Sequence, residues 1–179
     1  TPFGGEATQG MERFPYNTLN AENPGISGFG DLYQNINQMN LFISRTLHTD
    51  VLTESARNYY LGQVYGLRAY YMYQLYRSWG DVVFTEEPSL GFEVGKLAKA
   101  ATPAAEIFEQ VKKDIESSLS YFGSDYTIKE KKSLWSKAAT LMLKADVYLW
   151  SAHRDGGEGD ARTAKNALVD IQNNISRSN

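Results

Sequence analysis

The chain has 179 residues, enough to bury a hydrophobic core as one domain or as part of a larger one. Its formal net charge of −3 lacks the basic excess that a nucleic-acid-binding surface needs. No cysteine is present, which excludes disulfides, thiolate metal sites and cysteine nucleophiles within the chain. The two histidines, His48 and His153, have no second metal ligand at a suitable spacing. We therefore expect no nucleic-acid partner, no metal and no cofactor.

The two ends of the chain suggest processing and truncation. The chain begins at Thr1 rather than at Met, so we expect a processed or trimmed chain, with any signal peptide or lipid-anchored cysteine lying upstream. Its apolar stretches are too short for a transmembrane helix. Residues 175–179 directly follow a helical pattern, which indicates that the protein continues further.

The first 30 residues differ in composition from the rest. Residues 1–30 are rich in Gly, Pro, Asn and Thr without a sustained period, which predicts an irregular, loop-rich N-terminal lead. From Asp31 onward, apolar residues recur at helical spacing, and Asp31 itself is a plausible N-cap. The apolar residues on one face of this first helix are Leu32, Ile36, Met39 and Ile43.

The second helix is the longest and is predicted from Ser55 to Trp79. Its seven tyrosines surround the helix rather than forming one stripe, so packing explains them better than sugar stacking. Gly80 and Asp81 end this helix, and a short extended run, residues 82–85, follows.

Three further helices complete the pattern. Thr102 is the expected N-cap of the third helix, with Pro103 in its first turn. The fourth is predicted over residues 136–152 and the fifth over 161–175, separated by a flexible, glycine-rich turn at 155–160. The residues predicted to face inward on the fourth helix are Ala138, Leu141, Met142, Ala145 and Leu149.

This succession of helices predicts an all-α fold. Antiparallel helix hairpins stacked as a tetratricopeptide-like α-solenoid are the natural architecture, although the tetratricopeptide consensus residues are absent. We expect residues 31–179 to form one helical-repeat region, which is an incomplete domain of a longer protein.

The run LRAYYMYQLYRSWGDVV (67–83) contains Leu-Arg-Ala, several following aromatic residues and a Gly-Asp-Val turn. It resembles a segment of the SusD/RagB family of outer-membrane nutrient-binding lipoproteins, in which Pro usually stands at the position of Val83. The segments TPAAEIFEQVKKDIESSL (102–119), WSKAATLMLKADVYLW (135–150) and LYQNINQMNLFI (32–43) resemble other family helices in the same order. Family members are much longer, so the chain resembles their N-terminal portion.

The resemblance implies a non-enzymatic protein, lipid-anchored on the external face of the outer membrane of Bacteroidetes-type bacteria. Such proteins capture glycans, less often peptides, and deliver them to a SusC-like TonB-dependent transporter. The alternative is a helical-repeat interaction module that mainly docks the transporter or another protein. Contact with the membrane would come only through a lipid anchor absent from this chain.

Several residues have predicted structural roles. Arg68 lies on an apolar helix face and needs a buried partner, for which Asp114, at a family-typical position, is the candidate; ligand contact is the alternative. Trp79 is expected to pack the helix end, Gly80 to adopt a left-handed conformation, and Asp81 to accept from nearby N–H groups.

Candidate ligand contacts lie in the N-terminal lead, where aromatic rings and amides occur together ahead of the first helix; a packed surface loop is the alternative. These candidates are Tyr16, Asn17, Asn20, Asn23 and Phe29.

No catalytic or calcium-binding pattern is present. HExxH, GxSxG and phosphate-binding glycine loops are absent, and no carboxylate pair suggests a glycoside hydrolase. In the 155–160 loop, Gly157 and Gly159 occupy positions where an EF-hand needs oxygen ligands.

Overall fold

A computed structural model describes residues 30–91, 99–130 and 133–175. These residues form five α-helices and one short π-helical segment, with no strand beyond a single bridge. The α-helices are α1 (Gly30–Leu47), α2 (Glu54–Trp79), α3 (Ala104–Phe122), α4 (Lys137–Ser151) and α5 (Gly157–Asn174), and the π-helical segment is Ala152–Gly156. The predicted all-α class is confirmed, whereas the predicted lead lies almost wholly outside the described residues.

Helix α1 begins one residue earlier than the N-cap predicted at Asp31. Asp31 lies within the first turn, where its negative charge favours the positive end of the helix dipole. The buried face of α1 contains Ile36, Asn40 and Ile43, so an amide lies among the apolar residues facing α2.

Helix α2 has well-defined ends. The side chain of Thr53 accepts a hydrogen bond from the backbone N–H of Ala56 at 3.3 Å and thereby caps the N-terminus. Gly80 has φ of +74°, and its N–H donates to the carbonyl of Tyr76 at 3.0 Å. This left-handed conformation explains why glycine ends the helix.

The tyrosines of α2 are buried to different degrees. Tyr73 is fully buried and its hydroxyl has no hydrogen-bond partner among the described residues. Burial, with the nearby charge of Asp146, raises the pKa of Tyr73 to about 12. Tyr60 and Tyr70 are instead about 40% exposed, at 42% and 41%, so packing does not account for every ring.

The N-terminus of α3 is capped from a distance. Thr102, the predicted cap, instead forms an antiparallel bridge with Val82, and Pro103 in the cap position makes no side-chain cap bond. Asp81 accepts from the backbone N–H of Ala104 at 2.8 Å, which corrects the prediction that it serves N–H groups at the end of α2. Because the backbone of Thr102 is bonded to Val82, the N–H group of Ala104 in the first turn of α3 takes the carboxylate of Asp81 as its acceptor.

Helices α2 and α3 form an antiparallel hairpin, since contacting residue numbers rise on one helix as they fall on the other. The contacts along the pair are Gly62 with Ser118, Arg68 with Asp114, and Tyr76 with Phe108. Helices α4 and α5 form the next hairpin, and α4 packs on α2 in the same direction. Two similarly oriented hairpins are therefore stacked, in the tetratricopeptide-like manner predicted.

Helix α4 is buried on two sides rather than one. Leu143 and Val147 join the core shared by α2 and α3, whereas Leu141 contacts α5. Met142 and Leu149, predicted to face inward, are 54% and 52% exposed. A helix placed inside a stack has two neighbours, so a single inward face is the wrong pattern for it.

The predicted turn at 155–160 is helical. The chain continues from α4 through the π-helical segment, and α5 begins at Gly157 rather than at residue 161. Gly157 has φ of +55°, and a side chain at Gly156 would collide with the carboxylate of Asp160. The glycines therefore permit a tight change of helix direction in place of a flexible loop.

Among the described residues, no helix combines the length and apolar character needed to cross a membrane.

The close approach of α2 and α4 at Gly66 provides a test of this packing. A Cβ atom at Gly66 would lie 2.8 Å from Oγ1 of Thr140 and 2.9 Å from Cε2 of Trp135. We expect Gly66→Ala to lower the free energy of unfolding by about 1–3 kcal/mol, because overpacking outweighs the better helix propensity of alanine.

Gly159 in α5 is the matched control, since a Cβ atom there would meet nothing within 4 Å. Gly159→Ala is expected to stabilise by about 0.5–1 kcal/mol. Urea denaturation followed by circular dichroism measures both variants, and a stable Gly66→Ala variant would contradict the described packing.

Candidate functional site

Arg68 and Asp114 form a buried, bidentate ion pair at the centre of the first hairpin. Nε of Arg68 donates to one carboxylate oxygen of Asp114 and a terminal nitrogen donates to the other, both at 2.7 Å. The two side chains are 3% and 1% exposed. This planar arrangement satisfies both charges where water cannot reach them.

The same guanidinium extends the network to α1. Its remaining terminal nitrogen donates to the side-chain oxygen of Asn40 at 2.8 Å. The amide nitrogen of Asn40 donates in turn to the carbonyl oxygen of Thr85 at 2.6 Å. Arg68 thus connects three helices with the segment that follows α2.

Glu86 extends the network to the surface of α3. Its carboxylate accepts from Gln110 at 2.8 Å and from Lys113 at 3.0 Å, and lies 3.7 Å from Arg68. Gln110 also donates to Asp114 at 3.0 Å. In the segment after α2, the adjacent residues Thr85 and Glu86 are therefore held by side chains of α1 and of α3, respectively.

The network controls the charge of its members. Burial opposes the charge of Arg68, but the hydrogen bonds and negative charge of Asp114 outweigh it, so the pKa of Arg68 is raised. Partial burial would raise the pKa of Glu86, yet the bond to Lys113 and the charges of Lys113 and Arg68 lower it below its ordinary value. Both groups remain ionised at neutral pH.

A pocket of about 280 Å³ lies where this segment meets α1. Asn37 fixes its edge, since its side chain accepts from the N–H of Ser89 at 2.7 Å and donates to the Ser89 carbonyl at 3.2 Å. The lining residues are Tyr33, Gln34, Ile36, Asn37, Asn40, Val83, Phe84, Thr85, Ser89 and Lys99.

Among the described residues, the lining combines aromatic and polar groups and includes no carboxylate. Tyr33 and Phe84 contribute rings, and the hydroxyl of Tyr33 bonds to the backbone of Val83. Within the described residues, the side chains of Gln34 and Lys99 make no hydrogen bond. Such a surface suits a hydroxyl-rich molecule with apolar C–H faces.

The described residues contain no cluster of three or more His, Asp or Glu side chains that could hold a metal ion.

A family model decides what this architecture is. It is SusD-like, described as starch-binding and associating with the outer membrane, and it matches residues 14–149. The chain belongs to the SusD-like family.

Relatives of the SusD-like chain are much longer than it is. A SusD-like protein of Formosa agariphila is 34% identical over 113 residues, covering 62% of this chain and 20% of that relative. The solved structure of B. fragilis NanU is 51% identical, covers 100% of this chain and 35% of its own, and superposes with a TM-score of 0.86. A SusD superfamily structure from Bacteroides vulgatus is 50% identical, covers 96% and 34%, and has a TM-score of 0.83.

The structure places only some of the predicted site residues. Arg68 and Asp114 meet as described, and Gly80 has its positive φ. Trp79 is 36% exposed at the end of α2. The five ligand candidates of the SusD-like lead, Tyr16, Asn17, Asn20, Asn23 and Phe29, lie outside the described residues.

Sequence reasoning missed the pocket residues of α1 and of the segment after α2. Tyr33 and Asn37 are four residues apart, so they share a helix face, and this spacing was a usable signal. Phe84 and Lys99 carry no comparable signal, because their position depends on the bridge between Val82 and Thr102.

A double-mutant cycle tests the buried pair. Arg68→Met alone leaves Asp114 buried without its partner and is expected to cost about 3–5 kcal/mol of unfolding free energy. Combination with Asp114→Asn should show a coupling of about 2 kcal/mol or more. Arg77 and Asp146, 3.8 Å apart and 42% and 60% exposed, form the control pair, for which we expect coupling below about 1 kcal/mol. Equal coupling in the two pairs would contradict the central role of Arg68.

Acid titration tests the surface end of the network. The pKa of Glu86 in the folded chain lies below its ordinary 4.5, so its contribution is complete at higher pH and is lost as the pH falls through the lowered value. We expect Glu86→Gln to lower the free energy of unfolding at neutral pH. Between about pH 5 and pH 3, this variant should then lose less stability than the wild-type chain. Glu87→Gln is the neighbouring control, since Glu87 makes no ion pair among the described residues. Urea unfolding at each pH measures the slopes, and identical slopes for wild type and Glu86→Gln would refute the assignment.

Proposed function

We propose that this chain is the N-terminal part of a non-enzymatic, cell-surface protein that binds glycans for uptake through a SusC-like TonB-dependent transporter. Membership of the SusD-like family supports the biological context. The observation that carries the proposal for this chain is the pocket beside α1, whose rings and amides match the chemistry of a sugar.

Binding at this pocket would use a preorganised surface. Phe84 and Tyr33 would contact C–H faces of a sugar ring, while Gln34 and Lys99 would bond to its hydroxyls. The buried Arg68 network holds the backbone that carries Phe84, so little freedom is lost when the glycan binds.

The N-terminal lead would extend the same surface. Tyr16, Asn17, Asn20, Asn23 and Phe29 precede α1, the helix that supplies Tyr33 and Gln34. Their aromatic and amide groups have the same chemistry as the pocket lining, and we propose that they contribute further glycan contacts.

Binding without hydrolysis fits the pocket chemistry. Glycoside hydrolases place two carboxylates around the scissile bond, whereas the lining residues that the structure describes include none. In the full-length protein, a lipid anchor on the external face of the outer membrane would hold this site near the transporter.

A second candidate function is docking of the transporter or another protein. It is favoured by a groove of about 600 Å³ beside α1, near which Phe42, Leu47 and Val51 are 39%, 42% and 90% exposed. Apolar exposure of this kind is typical of protein-interaction surfaces.

Glycan binding by the purified chain tests the main proposal, with an oligosaccharide array and soluble starch as probes. We expect Gln34→Ala to weaken binding to the preferred glycan about three- to tenfold, and Phe84→Leu to weaken it about tenfold, through lost hydrogen bonds and ring contact. Tyr60→Ala, at an exposed tyrosine outside the pocket, should bind normally. No reducing ends should appear on prolonged incubation.

The outcomes separate the candidate functions. Absence of glycan binding together with co-purification of the transporter, lost in a Phe42→Ala variant of the groove, would favour docking. Glycan cleavage abolished by substitution of one Asp or Glu would show a hydrolase instead.

A further inference from the structure

A second pocket, of about 340 Å³, lies among α3, α4 and α5, and no part of the proposed site beside α1 contributes to it. Leu141 of α4 and Ala167 of α5 provide apolar surface, and both belong to the small core between these helices. Its volume is at the small end of the range of ligand pockets, about 300–1,000 Å³. The pocket is therefore large enough for a small polar molecule.

Lys137 is an unusual member of the lining, since only 9% of it is exposed. Its ammonium donates to the carbonyl of Gly123 at 2.6 Å and lies 3.7 Å from the ring centre of Tyr126. No carboxylate of the described residues lies within ion-pair distance of it. An ammonium has three N–H groups, so Lys137 retains a donor for a ligand.

Acceptors and an amide are present on the α5 side. Asp170 uses one carboxylate oxygen to accept from Tyr126 at 2.6 Å and from Asn174 at 2.7 Å, and its other oxygen has no bond in the described residues. The side-chain amide of Asn166, which also lines the pocket, makes no hydrogen bond within the described residues. Donors and acceptors therefore surround an apolar surface.

The charges of the pocket balance. Lys144 is paired with Glu116 at 2.6 Å, Asp170 lies on the same lining as Lys137, and the charge of Lys137 also acts on the carboxylate of Asp125. An anion would meet no net positive potential, whereas a neutral polyhydroxylated ring could use donors and acceptors together. The chemistry thus favours a neutral sugar over a phosphate, sulfate or carboxylate.

We propose that this pocket binds one sugar unit of a neutral glycan, as a second contact point separate from the pocket beside α1. The inference rests on the proposed glycan-binding function and adds a second subsite to it. Two weak subsites on one chain bind a polymer more tightly than either binds a single sugar, because the second contact is intramolecular.

Nuclear magnetic resonance titration of the ¹⁵N-labelled chain tests this subsite residue by residue. The probes are glucose, galactose, mannose, xylose and N-acetylglucosamine, with sodium sulfate as the anionic probe. We expect at least one sugar to shift the side-chain amide of Asn166 and the backbone amides of Ala167 and Asp170 in a saturable manner. Asn166→Ala should weaken this binding about three- to tenfold.

Asn173→Ala is the matched control, an exposed asparagine of the same helix outside the pocket, and should leave binding unchanged. No sugar-dependent shift at residues 166–170, or shifts caused by sulfate alone, would overturn the proposal. The amides of Tyr33 and Asn37 report the first pocket in the same spectra. Shifts only there would refute the second subsite and leave the proposed function standing, whereas no shifts at either pocket would argue against both.

Discussion

The buried ion pair between Arg68 and Asp114 is the constraint on which the rest of the structure depends. A guanidinium removed from water needs an opposite charge and hydrogen-bond acceptors around it, because burying it without them is strongly unfavourable. Asp114 satisfies two donors and Asn40 a third, so α1, α2 and α3 have to adopt one relative position. Apolar packing alone would tolerate a range of positions, because it has little directional preference. The pair therefore specifies an arrangement that the surrounding core stabilises.

The same directional hydrogen bonds extend to the pocket beside α1. Asn40 donates to the carbonyl of Thr85, and Glu86 anchors the neighbouring residue to α3. A segment without regular secondary structure is thus held by side chains of two helices, which suits the positioning of Phe84 beside α1. In this SusD-like chain the helical stack is both a scaffold and the source of the bonds that shape a loop.

Much of the fold could be predicted from sequence, because helix periodicity and end signals are local. A buried partner for Arg68 was also predictable, since a charge on an apolar face requires one, and the family resemblance pointed to Asp114. The errors arose where a residue's role depends on a distant element. Met142 and Leu149 were assigned to a single inward face, but α4 has neighbours on two sides. Thr102 has the residue type and position of a cap, yet the capping bond to Ala104 comes from Asp81, 23 residues before Ala104. The pocket beside α1 depends on the same kind of distant contact, since its lining comes from residues 33–40 and from residues 83–99.

The junction of Val82 with Thr102, together with the bond from Asp81 to Ala104, has an evolutionary consequence. It brings the end of one helix and the start of the next to a common anchor, which fixes where the connection between them begins and ends. Changes of length beyond the hydrogen-bonded residues Thr85, Glu86 and Ser89 of that connection add little closure entropy and need not disturb the helices. Because Phe84 and Lys99 lie on it, natural variation could alter ligand preference there while the scaffold stays constant. Substitutions in this short connection would then change ligand specificity without changing the packing of the helices.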